Sequence, residues 1–171
     1  MDFLAYVEAT GLGTWLRESP SIWAFPTVLT LHTLGLGVIV GASVVVDLRI
    51  LGVASCLALR PLEKLFAVMW LGFALNVTSG LLLFIKSATA VGISGLFWTK
   101  ISLITLAMVV LVRIKKTVFD VPRAESLSIP SNARTLALIS ILLWTAAIVA
   151  GRLMAYVGPT QAEAGVLIGM R

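Results

Sequence analysis

The chain has 171 residues, of which 59% are hydrophobic and only 12% charged, with a net charge of +5. Soluble domains run at about 45–50% apolar and about 25% charged, so this composition, with its mean hydropathy of +1.04, excludes a soluble domain and predicts an integral membrane protein. A single cysteine excludes an internal disulfide and any Cys-based zinc or iron–sulfur cage. The basic residues fall in short loops between apolar runs, which is the positive-inside pattern of a bilayer protein rather than a nucleic-acid surface.

Residues 2–18 read as a short amphipathic helix lying on the membrane, with Phe3, Leu4, Val7 and Trp15 at near-helical spacing and Asp2, Glu8, Arg17 and Glu18 at polar positions. No basic, short-apolar, small-residue signal pattern precedes it, so the first span is expected to direct insertion itself. Ser19-Pro20 has the form of a helix start, a hydroxyl cap followed by proline. Span 1 then covers about 21–50. It contains Pro26 near its start, the sole histidine of the chain, His32, flanked by Thr30 and Thr33, and then Gly35, Gly37 and Gly41. Gly37-x-x-x-Gly41 is the spacing that lets a second helix or a flat ligand approach the backbone. Gly35-x-Gly37 is not a nucleotide fingerprint, because no strand precedes it. Asp47-Leu-Arg49 closes the span as a local ion pair or an interfacial cap.

After the basic loop Arg60-Pro-Leu-Glu-Lys64, span 2 covers about 65–85, with Trp70 near one end and Asn76-Val-Thr-Ser-Gly80 in its middle. Small and hydroxyl residues of this kind mark a helix–helix contact, and Asn76 is expected to bond a neighbouring helix. A polar, glycine-containing loop follows over 86–96. Span 3 runs from about 96 to 114, opens on Phe97-Trp-Thr-Lys100 and closes on Arg113, Lys115 and Lys116. A polar linker over 117–133, holding Asp120, Pro122, Arg123, Glu125, Pro130 and Asn132, leads to span 4 at about 134–157, which ends in Gly151-Arg-Leu-Met-Ala-Tyr156. The tail 158–171 is weakly amphipathic. The fold class is therefore all-α: a four-helix membrane bundle forming one domain over 1–171, with an N-terminal interfacial helix. Eight Lys and Arg lie on the side of the loops joining spans 1–2 and 3–4, against five on the other. That balance puts both termini outside, in the periplasm of a protein of the bacterial inner membrane.

Helical rise places His32 about 15 Å below the outer end of span 1. By the same arithmetic Asn76 and Met108 share its mid-depth, and Arg152, Met154, Tyr156, Lys100 and Trp98 fall in the outer half. An ionisable ring at this depth is costly unless it faces protein, water or a ligand. An imidazole, a glycine on its own face at Gly35 and two outer cations, Lys100 and Arg152, are what a b-type haem requires: an iron ligand, room for the porphyrin, and partners for the propionates. The sixth ligand would be Met108, Met154 or a second subunit's histidine, or the position would stay open. The alternatives are a histidine that hydrogen-bonds Asn76 or a threonine hydroxyl, or one that handles copper or protons. The five methionines do not form the closely spaced clusters of a copper path. No histidine–nucleophile set, carboxylate pair or phosphate-cradling loop points to an independent enzyme.

The runs His32…Gly41…Asp47-Leu-Arg-Ile-Leu-Gly52, Phe97-Trp-Thr-Lys100 and Gly151-Arg-Leu-Met-Ala-Tyr156 resemble a family of small four-span bacterial inner-membrane proteins of unknown function, over most of the chain. More distantly the chain is similar to copper-resistance D and cytochrome b561-like membrane proteins. That resemblance implies a four-helix bundle that carries haem b or is linked to copper, although those haem bundles use several histidines and this chain has one. The expectation is a haem-bearing electron-transfer subunit, or a non-catalytic anchor of a larger membrane complex. The small-residue faces of spans 1 and 2 add the expectation of a homo-oligomer or larger assembly.

Overall fold

The computed structural model describes residues 2–120 and 130–157, and all regular structure among them is helical. Pro122, Arg123 and Glu125 of the expected linker, and the tail 158–171, lie outside the described residues. Among the described residues seven α-helices follow one another: α1 (Asp2–Glu8), α2 (Gly11–Glu18), α3 (Phe25–Leu51), α4 (Leu65–Lys86), α5 (Ala88–Gly92), α6 (Gly95–Ile114) and α7 (Ser131–Val157). A 3-10 turn over Arg60–Lys64 leads straight into α4, and a π-helical turn over Lys115–Phe119 extends α6. Four of these segments are long and apolar enough to cross a bilayer, which makes this a multi-pass membrane protein.

The helix ends differ from the sequence expectation in three places. The amphipathic stretch 2–18 is two helices rather than one. Thr10 breaks it, donating its hydroxyl to Val7 O and accepting from Gly13 N–H as the N-cap of α2. Ser19 closes α2 instead of opening span 1. The chain then turns through Ile22–Ala24, and α3 starts at Phe25 with Pro26 in its first turn, where a missing N–H costs nothing. Both prolines fit a helix start; burial of Ala24 and Val28 goes with the second. The polar loop expected over 86–96 holds α5, and Glu8 of α1 reaches it: one carboxylate oxygen accepts from Thr89 N–H at 2.9 Å while the other pairs with Arg17 at 3.1 Å. Negative charge on the first free N–H groups of a helix is favourable. The two N-terminal helices are thus folded onto one end of α4 and α5.

At the other end of α3, Gly52 adopts φ +90, and its N–H bonds back to Arg49 O and Leu48 O. This left-handed residue ends the helix where any side chain would be strained.

The long helices pack as two pairs, α3 with α4 and α6 with α7, and the pairs meet through α3 and α7. Between lipid-surrounded helices the hydrophobic effect does little, so close backbone approach and hydrogen bonds hold the bundle. The α3–α4 crossing shows this. A Cβ on Gly35 would stand 2.8 Å from Asn76 N and 2.9 Å from Gly72 O. Gly37 and Gly41, the pair with the dimer spacing, have nothing within 4 Å of their Cβ positions. The close approach within the chain therefore uses Gly35 and Gly72, and Gly37 and Gly41 face outward. The core is built from Ile39, Val46 and Ile50 of α3, Phe66 and Met69 of α4, Leu111 and Ile114 of α6 and the fully buried Trp144 of α7. Of the exposed aromatics, Phe3, Tyr6, Trp15, Trp23, Trp98 and Tyr156 gather at the end that carries α1, α2 and α5, and Trp70 lies near the other end of α4, the positions of interfacial aromatic belts.

Candidate functional site

His32 lies about seven residues into α3, and Lys100 about five into α6, so each sits about 8–10 Å below the same end of the bundle. They meet there: Lys100 Nζ lies 3.5 Å from His32 Nε2. The other ring nitrogen, Nδ1, is 3.0 Å from the backbone oxygen of Asn76 and 3.1 Å from Ser79 Oγ, both on α4. These partners fix the tautomer. A carbonyl oxygen only accepts, so Nδ1 carries the proton; an ammonium only donates, so Nε2 presents a lone pair. Ser79 gives its own hydroxyl proton to Leu75 O at 2.6 Å and is free to accept from Nδ1.

The ring is held sterically as well. A Cβ on Gly80 would stand 3.1 Å from His32 Cε1, so the imidazole lies against bare backbone. Asn76 Nδ2 donates to His32 O at 2.9 Å, and α3 and α4 are therefore locked by reciprocal bonds between the same two residues. On the far side, the Lys100 stem passes within 3.5 Å of where a Cβ of Gly151 would be. The lysine thus runs inward along α7 at ordinary contact distance instead of out to the interface. Phe84 of α4 stacks on Phe97 of α6 at 5.5 Å nearby, at the edge where the two helix pairs otherwise share least contact.

The expected site residues are thus brought together only in part. His32 and Lys100 form the centre. Gly35 is occupied by α4 and offers no face to a ligand. Met108 is two turns deeper than Lys100 along α6, about 12 Å by helical rise, and is buried in the core. The mid-depth shared by Met108 and His32 in the sequence arithmetic does not hold, because α3 begins several residues later than expected. Met154 sits one turn beyond Gly151 on the same face of α7, half-buried. Arg152 is exposed and turned to Tyr156, its Nη2 3.4 Å from the phenol oxygen. The threonines beside His32 take no part: Thr30 and Thr33 donate to Pro26 O and Leu29 O of their own helix. A surface cavity of about 380 Å³, lined by Arg113, Thr117, Asn132, Thr135 and Leu136, lies at the opposite end of the bundle.

Asp47 departs from the expected ion pair or interfacial cap. It makes no pair with Arg49, since positions two apart on a helix point about 200° away from one another. Arg49 Nε donates instead to Leu57 O in the following turn, and Asp47 is buried with 1% of its surface exposed. The signal for its burial is the four-residue spacing of Gly35, Ile39, Ser43 and Asp47, all of them buried.

No protein-family model, curated protein or solved structure matches the chain.

Proposed function

We propose that the protein binds a b-type haem at His32 and serves as a small electron-transfer subunit of the bacterial inner membrane, with both termini on the periplasmic side. One observation carries the reading. The Nδ1 proton is committed to a backbone carbonyl while Nε2 presents its lone pair away from α4, which is the arrangement that orients a ligating imidazole. Among the described residues no group of three or more His, Cys, Asp and Glu side chains could hold a bare metal ion. A haem supplies four of its own ligands and asks the protein for only one or two. His32 would hold the iron. Lys100, on its flexible stem, would turn from Nε2 to a propionate, and Met154 is the methionine nearest in level. Bound there, the group supplies one-electron transfer; the residues around it orient the ring and exclude water.

Protein purified in mild detergent from a haem-replete host should show a Soret band that shifts on dithionite reduction. His32→Ala should abolish it while all four spans still insert, because insertion follows hydrophobicity and loop charge. Arg152→Gln should lower retention less, its guanidinium being turned to Tyr156. A wild-type preparation without Soret absorbance would overturn the reading.

A second reading rests on the reciprocal bonds between His32 and Asn76: the histidine is a rivet between α3 and α4, and the protein is a non-catalytic membrane subunit. His32→Ala would then leave the spectrum blank in both proteins and cost one interhelical bond, on average about 0.6 kcal/mol. Under either reading the outward Gly37–Gly41 face supports assembly into a homo-oligomer or larger membrane complex.

A further inference from the structure

A second polar cluster lies inside the bundle, far from His32. Asp47 and Ser43 of α3 and Ser140 and Trp144 of α7 are all buried, with between 0% and 1% of their surfaces exposed. Ser43 and Asp47 are one turn apart, as are Ser140 and Trp144, so each helix turns two polar groups inward. Asp47 lies against Ser140. Among the described residues, Asp47 Oδ2, Ser140 Oγ and Trp144 Nε1 have no hydrogen-bond partner, and Ser43 donates only to the soft sulfur of Met69, at 3.8 Å.

Among the described residues no cation faces this carboxyl. From α4 the surrounding core presents Phe66 and Met69, from α6 Leu111 and Ile114, and from α7 Ala137 and Trp144. The charged groups of this end are engaged or outside: Arg49 bonds Leu57 O, Lys115 pairs with Asp120, and Arg113 and Arg134 are exposed. None of the ion pairs among the described residues includes Asp47. An ionised carboxylate without a cation in such a setting carries a large desolvation cost, and the group is neutralised instead. A metal ion is also a poor occupant, because the indole N–H of Trp144 and the thioether of Met69 are not oxygen ligands for a hard cation.

We propose that Asp47 is a proton-binding site. Its carboxylate takes a proton from hydronium at the Gly52 end of α3, about one helical turn away (~6 Å). An O–H bond forms on Oδ2, the hydronium O–H breaks, and water leaves. The resulting acid sits beside the Ser140 hydroxyl, which can both accept from it and donate to it. The bundle thus holds one exchangeable proton in the half opposite His32, and this does not depend on whether His32 binds haem.

Infrared difference spectroscopy on the full chain in bilayers tests this, with isotope-labelled aspartate to isolate the signal. The wild type at neutral pH should show the carbonyl stretch of a protonated carboxylic acid, and deuterium oxide should move it within minutes. Asp47→Asn should delete the band. Where that variant does not assemble, Asp47→Glu should retain a displaced band that is no longer aspartate-labelled. Ser140→Ala should shift the wild-type band, because it removes the hydroxyl that lies beside the acid. Absence of the band, its persistence in Asp47→Asn, insensitivity to Ser140→Ala or lack of response to deuterium oxide would each overturn the proposal.

Discussion

The imidazole of His32 has two different neighbours, and the difference decides which nitrogen is basic. Asn76 O can only accept and Lys100 Nζ can only donate, so the ring should be the Nδ1-protonated tautomer, the less common one for a free imidazole. Because the chain has one histidine, nitrogen-15 histidine labelling gives a single pair of ring signals in solid-state NMR. The expected spectrum has a protonated Nδ1 and an unprotonated Nε2; the reverse assignment would show that Lys100 does not donate to the ring. Gly80→Ala should perturb both signals, since the added Cβ would lie 3.1 Å from Cε1, whereas Gly95→Ala, with nothing within 4 Å, should not. At this scale the sequence was informative about identity and less so about direction. His32, Asn76 and Lys100 stood out as polar groups inside apolar runs. That Lys100 runs inward to His32 was not legible, because a lysine near a span end normally snorkels to water. The inward path runs beside Gly151 on a different helix, where the stem lies at ordinary contact distance from the bare backbone position. Asp47 was hidden for a related reason: its helical face becomes meaningful only once α7 is known to pack there.

At the scale of the helices, the strongest constraint is the α3–α4 crossing. Gly35 and Gly72 face one another so closely that a methyl group on either meets backbone, which cannot move aside as a side chain can. Gly35→Ala should therefore destabilise the bundle by about 1–3 kcal/mol, the usual cost of overpacking a closely fitted contact. Gly37→Ala, two residues away on the open face, should be neutral or slightly stabilising, because alanine is the better helix former. Thermal unfolding in detergent checks the pair, and equal melting temperatures for the two variants would refute the crossing. Four spans were legible because an apolar run of about 20 residues has few alternatives in a bilayer. Their exact ends were not. Ser19-Pro20 and Ala24-Phe25-Pro26 both fit the local rules for a helix start, and the choice between them is made by which residues become buried. The break at Thr10 is similar: one amphipathic period runs through 2–18, but the chain must turn to seat α2 on α4 and bring Glu8 to α5.

For the whole molecule, the two ends of the bundle differ in chemistry, and that difference sets how it lies in the membrane. One end carries α1, α2 and α5 with their exposed aromatics, and the His32–Lys100 contact lies just beneath it. The other carries the turns around Gly52–Lys64 and Lys115–Phe119 and most of the basic residues. Basic loops are retained on the cytoplasmic side, so the proposed orientation puts the His32 end toward the periplasm and Asp47 toward the cytoplasm. The chain carries its own reporter for this. Cys56 is the only cysteine and is exposed, in the turn between Gly52 and the 3-10 segment at Arg60–Lys64. A membrane-impermeant maleimide should leave the wild-type protein unlabelled in intact spheroplasts and label it in inverted vesicles. Leu12→Cys in a Cys56→Ser background places an exposed thiol on α2, at the opposite end, and should give the reverse pattern. Labelling of Cys56 from outside, with the thiol introduced on α2 labelled only after inversion, would turn the molecule over. The His32 end and the proton site at Asp47 would then exchange sides of the membrane.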